Sequence, residues 1–122
     1  MSNELSAPKI LICPADTNRF AANNFTTDFN NAKISYFVGL NADNIHPQTI
    51  LSGDDNFEIS GVPVKSGLLE LSTNSQISWT AARHKFIGNI GLADGSVQML
   101  GIHQPLLTLQ SIGIATNRLA IP

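Results

Sequence analysis

The sequence predicts an α+β fold built on a mostly antiparallel β-sheet, and three observations carry that expectation. Short runs rich in β-branched and aromatic residues recur along the chain, punctuated by Asn, Asp, Gly and Pro, as in strands joined by tight turns. Asp94-Gly95 stands between two apolar runs, which is the strongest short-range hairpin signal. Near the carboxyl end, Leu106, Leu107, Leu109 and Ile112 follow Pro105 at near-helical spacing, so a short C-terminal amphipathic helix is expected there.

The elements follow in order. Residues 1–8 read as a flexible, polar lead-in, and Ile10-Leu11-Ile12 as a short buried run stopped by Pro14. An Asn-rich irregular passage covers 15–32, with Phe20, Phe25 and Phe29 expected to anchor it on the core. Ile34 to Leu40 and Gln48 to Ser52 have strand content, joined by a turn-rich connection over 41–47. Phe57 to Ser60 and Val62 to Val64 are short strands, the second pushed towards a sheet edge by Pro63. Leu68 to Leu71 and Ile77 to Thr80 complete the set before the hairpin, expected at about 86–101.

At 122 residues the chain (1–122) is one domain's worth, able to bury a single core. Charged residues make up only 13% of it, so much of its surface must be polar without charge. Seven Lys and Arg against nine Asp and Glu, with no cationic run, argue against nucleic acid as a partner. The lone Cys13 has no intramolecular disulfide partner and reads as a buried structural thiol. No stretch approaches the roughly 18 apolar residues needed to span a bilayer, and the polypeptide as given is expected to be soluble.

Within the hairpin, a type I′ turn needs φ > 0 at both Asp94 and Gly95. In that register Leu92 pairs with Val97, Ile90 with Met99 and Phe86 with His103. Phe86, Ile90, Leu92, Val97 and Met99 then share the core face, and Asn89, Gly91, Ala93, Ser96 and Gln98 the other. At about 3.3 Å per residue, extended strand holds His84 and Asp94 roughly 30 Å apart, which excludes a dyad between them. Asp94 becomes a turn former, and His84 a packed histidine ahead of the strand.

His84, nine residues, then Asp94-Gly95 resembles the signature of bacterial prepilin-like proteins, themselves similar to the major pseudopilins of type II secretion and to type IV pilins. Ile12-Cys13-Pro14-Ala15-Asp16, Ile34 to Gly39, Pro47 to Asp54 and Gly88 to Val97 add to the match in the family's order, from about residue 9 to 101. The resemblance implies a globular head whose partners are other pilin-like or pseudopilin subunits in a filament. It implies a precursor anchored in the inner membrane by a long apolar helix, with the head in the periplasm or at the cell surface. That helix is absent here, so Met1 is expected to open an engineered soluble fragment, the alternative being a natural soluble protein that shares only the head domain.

Two other classes compete with this structural, non-enzymatic role. A binding module for calcium, glycan or a protein partner would use the oxygen ligands of Asp43, Asp54 and Asp55, or a cleft with Trp79 and Tyr36. A hydrolase would need His84 or His46 to meet an acid and a nucleophile in space. No nucleophile elbow, zinc-ligand spacing, phosphate loop or dinucleotide fingerprint marks one, and neither His46, His84 nor His103 has a paired acid implied by spacing. No cofactor is expected from the sequence beyond the calcium alternative.

Overall fold

A computed structural model describes residues 5–72, 75–101 and 116–122, and all structural statements concern those residues. They form nine strands and two short 3-10 turns, Pro8–Leu11 and Asn31–Lys33. The strands are β1 Tyr36–Gly39, β2 Ile50–Asp54, β3 Phe57–Ile59, β4 Val62–Pro63, β5 Gly67–Ser72, β6 Ile77–Trp79, β7 Gly88–Leu92, β8 Val97–Leu100 and β9 Thr116–Ile121. Six form one sheet in the order β5-β9-β1-β2-β7-β8, and three form a second in the order β4-β3-β6. Every pairing is antiparallel.

The mostly antiparallel sheet is therefore present. The expected C-terminal helix falls at 104–112, outside the described residues, and the helical elements given above are 3-10 turns of four and three residues. Among the described residues no helix is long and apolar enough to cross a membrane.

One apolar cluster joins the two sheets. Phe57, Ile77 and Trp79 of the small sheet meet Phe37, Ile50, Leu71, Ile90, Leu92, Leu100, Leu119 and Ile121 of the large one. Phe37, Phe57 and Trp79 run edge to face through it, with ring centroids 5.5 and 5.7 Å apart. Each such fully buried side chain contributes on the order of 1.5–3 kcal/mol. A Cβ at Gly88 would fall on the Trp79 ring, so glycine there lets β7 pass beneath the indole. Trp79 is only 1% exposed, which removes it from any glycan-binding surface.

β9 lies between β5 and β1 and pairs with β5 from Gly67↔Ile121 to Ser72↔Thr116. Its burial alternates strictly, with Asn117, Leu119 and Ile121 inward. Pro63 sits on the edge strand β4, where its missing N–H costs no ladder bond.

The hairpin exists but departs from the expected turn and register. Gly95 N donates to Leu92 O at 3.0 Å and Leu92 N to Ser96 O at 2.9 Å, which closes a three-residue loop of Ala93, Asp94 and Gly95. Only Gly95, at φ 87°, is left-handed, as in a turn followed by a G1-type bulge residue. The φ signature expected of a type I′ turn is found instead at Ser60-Gly61, with φ 50° and 80°, between β3 and β4.

The extra loop residue moves the register by one. Gly91 pairs with Val97, Ile90 with Gln98 and Asn89 with Met99. A one-residue slip sends a strand's side chains to the opposite face. Val97 and Met99 are accordingly 70% and 68% exposed, while Leu100 is buried. Phe86 precedes the strand and is itself exposed.

The amino-terminal half also corrects two expectations. Ile10 lies exposed in a 3-10 turn rather than in a buried run. Phe20 is exposed and Phe25 packs against Phe29 at 5.4 Å, so these rings cover one another or solvent, and Ala22 is the buried residue of the passage.

Candidate functional site

Asp54 ends β2 and Asp55 follows it in a bend, and their carboxylates meet different partners. Arg83 and His84, also adjacent, meet them one to one. Arg83 bonds the Asp55 carboxylate with Nη2, and His84 Nε2 lies 3.8 Å from Asp54 Oδ2. This double contact fixes the 81–86 turn on the sheet.

The Asp55 half is a buried ionic lock. Arg19 Nη1 donates to Asp55 Oδ2 at 2.6 Å, and Arg83 Nη1 donates to Ser35 O at 2.8 Å. Asp16 accepts from Ser35 Oγ at 2.8 Å and sits 3.4 Å from Arg19 and 3.6 Å from Arg83. Burial by itself would raise the Asp16 carboxyl. Hydrogen bonds from Ser35 and the Asn18 N–H, with the charges of Arg83 and Arg19, outweigh it and hold the group below the usual carboxylate range. Saturated partnerships of this kind bind the amino-terminal loop to the sheet.

The Asp54 half is different in kind. Cys13 Sγ lies 3.1 Å from His84 Nε2, and the ligand atoms of Cys13, Asp54 and His84 all fall within 4.8 Å of one another. Cys13 is 2% and Asp54 1% exposed, whereas the His84 side chain is 32% exposed. Asn89 donates both its backbone N–H, at 2.8 Å, and its side-chain amide, at 3.1 Å, to Asp54 Oδ2. Burial, then the neighbouring Cys13 and Asp54, push the Tyr36 hydroxyl above its ordinary value.

The His84 ring reaches this point through an uncommon backbone. His84, Lys85 and Phe86 have φ of 50°, 51° and 67°, a left-handed turn that costs non-glycine residues roughly 1–2 kcal/mol each. The turn folds His84 back over the outer face of the large sheet. There Cys13, Tyr36, Ser52, Asp54, His84 and Asn89 are among the residues lining an open pocket of about 360 Å³.

The remaining expected residues have separate places. Asp94 Oδ1 accepts from the Ser96 N–H and hydroxyl at 2.8 and 2.6 Å, so it forms the turn through its side chain while Gly95 takes the left-handed position. These bonds from Ser96 hold the Asp94 carboxyl below its ordinary value. The turn docks through Asp94 N on Pro47 O and Ala93 N on Thr49 O. Asp43 caps its own loop, with Oδ1 2.9 Å from His46 Nδ1. Asp43, Asp54 and Asp55 thus point to His46, to Asn89 and His84, and to two arginines, and the structure does not bring them together around one ion.

Sequence reasoning missed Cys13 and Asn89 as members of the site and assigned His84 to plain packing. The available signal was that Cys13, Asp54, His84 and Asn89 all lie in the segments that carry the family resemblance. A scan against protein-family models and searches of curated proteins and of solved structures each returned no match.

Proposed function

We propose that this chain is the α+β globular head of a pilin-like or type II secretion pseudopilin subunit, a non-enzymatic part that works through contacts with neighbouring subunits in a filament. In that reading the native precursor is anchored in the inner membrane and the head lies in the periplasm or at the cell surface. The sequence resemblance motivates the proposal. The observation that carries it furthest is the outer face of the six-stranded sheet. Residues paired in register run Leu68, Ala120, Val38, Ser52, Gly91 and Val97 across all six strands. Leu68, Val38 and Val97 are 65%, 48% and 70% exposed, and Met99 adds a further 68% exposed side chain beside them. A broad face of small and apolar side chains of this kind suits packing against another protein surface.

The test is the native protein. A mature chain that carries a long apolar amino-terminal helix and co-purifies with other pilin-like subunits supports the reading. A protein that begins near Ser2 and purifies alone from the soluble fraction overturns it.

A further inference from the structure

We propose that Cys13, Asp54 and His84 form a binding site for one zinc ion, with Cys13 Sγ, His84 Nε2 and the Asp54 carboxylate as its ligands. The inference is independent of the filament reading.

The way the groups converge separates a metal site from a catalytic relay. In a relay the acid and the nucleophile sit on opposite nitrogens of the imidazole. Here Cys13, at 3.1 Å, and Asp54, at 3.8 Å, both approach Nε2. Zinc bonds of about 2.0–2.3 Å at tetrahedral angles place donor atoms about 3.4–3.6 Å apart. The two observed separations bracket that range, and His84, the partly exposed member, can take up the adjustment.

The donor set selects the ion. Calcium and magnesium take oxygen ligands, whereas zinc accepts thiolate sulfur, imidazole nitrogen and carboxylate oxygen together. Charge points the same way. Asp54 is 1% exposed, and among the described residues its ion-pair partner is the half-exposed His84, while its neighbour Asp55 has two arginines. A buried carboxylate beside a buried thiol favours a cation between them.

The surroundings complete the site. Two hydrogen bonds from Asn89 orient the Asp54 carboxylate, as outer-shell partners of metal ligands do. The open pocket that Cys13, Asp54 and His84 line gives the fourth coordination position access to water or a small ligand.

The test uses the full, reduced chain with zinc by calorimetry and with cobalt(II) by absorption. The expected result is one ion per chain and a thiolate-to-cobalt charge-transfer band. Cys13→Ser abolishes the band, and His84→Gln or Asp54→Asn weakens zinc binding by at least about tenfold. His46→Gln, which removes the surface pair with Asp43, leaves binding unchanged. Because a variant can fail to fold, the wild-type melting temperature is also compared in zinc and in chelator, and it rises in zinc. Absence of stoichiometric binding, of the charge-transfer band or of the melting shift in the wild-type chain overturns the proposal. So does zinc binding that His46→Gln removes and Cys13→Ser leaves intact.

Discussion

The ring of His84 lies against Cys13, with Nε2 3.1 Å from the thiol sulfur, although 71 residues separate the two in sequence. Cys13 is 2% exposed, and the His84 side chain against it is 32% exposed. Replacing His84 with Ala therefore opens a path to the thiol. In a metal-free solution, Cys13 should react with a thiol reagent several-fold faster in His84→Ala than in the wild-type chain, with both variants folded. Wild-type labelling as fast as in denaturant would contradict the burial.

Arg83 neutralises Asp55 where both are buried, each 7% exposed. Removing Arg83 leaves Asp16 and Asp55 to share Arg19, one carboxylate in excess, so Arg83→Met should cost about 3–5 kcal/mol in urea unfolding. Adding Asp55→Leu should restore a large part of the loss, because Asp16 and Arg19 then remain as a balanced pair. Additive losses would show that the two side chains do not act as a pair.

Asp16 makes stability depend on acid. Its carboxyl is held below its ordinary value in the folded chain, so the unfolded chain takes up a proton first as pH falls. The stabilisation is complete above the ordinary value of about 4 and is lost as pH drops through the lower folded value. The urea midpoint of the wild-type chain should fall over that window. Asp16→Asn should be less stable at neutral pH and should lose less on acidification, and an unchanged slope would exclude Asp16 as a contributor.

The shifted hairpin register makes a prediction with opposite outcomes for two neighbouring apolar residues. Val97 is exposed and Leu100 is in the core. Val97→Asp should change stability by no more than about 0.5 kcal/mol, the scale of ordinary surface changes. Leu100→Ala should cost about 2–5 kcal/mol through the cavity it leaves. In the two-residue-turn register Val97 would be core, and the aspartate would then be the severe change.

Strands β2, β3, β5 and β6 were legible because their own residues favour extended structure, and Pro63 correctly marked an edge. β9 was not, since Thr-Asn-Arg-Leu-Ala-Ile has little intrinsic strand preference and owes its place to pairing with β5 and β1 on its two sides. Asp94-Gly95 showed that a hairpin forms but not its loop length. The dipeptide also suits a three-residue loop in which glycine alone is left-handed, and that choice decides which face carries Val97 and Met99.

The candidate site was harder to read for a related reason. The separation of His84 from Asp94 assumed strand geometry, yet 81–86 is a turn whose left-handed residues aim His84 at Cys13 and Asp54. Asp54 was visible as an oxygen ligand, but β2 ends with it, and Asp55 in the following bend turns to Arg19 and Arg83 instead. Cys13 is held near the site by the Asp16, Arg19, Asp55 and Arg83 lock together with the Ser35 N–H bond to Leu11 O, which fasten the amino-terminal loop on either side of it.

Three donors from distant parts of the chain, Cys13, Asp54 and His84, converge within 4.8 Å of one another. Anomalous diffraction at the zinc edge from crystals of the reduced chain grown with zinc measures that convergence most directly. One strong anomalous peak is expected within bonding distance of Cys13 Sγ, His84 Nε2 and an Asp54 carboxylate oxygen. A zinc peak only elsewhere, or a His84 ring turned away from Cys13 and Asp54, would contradict it.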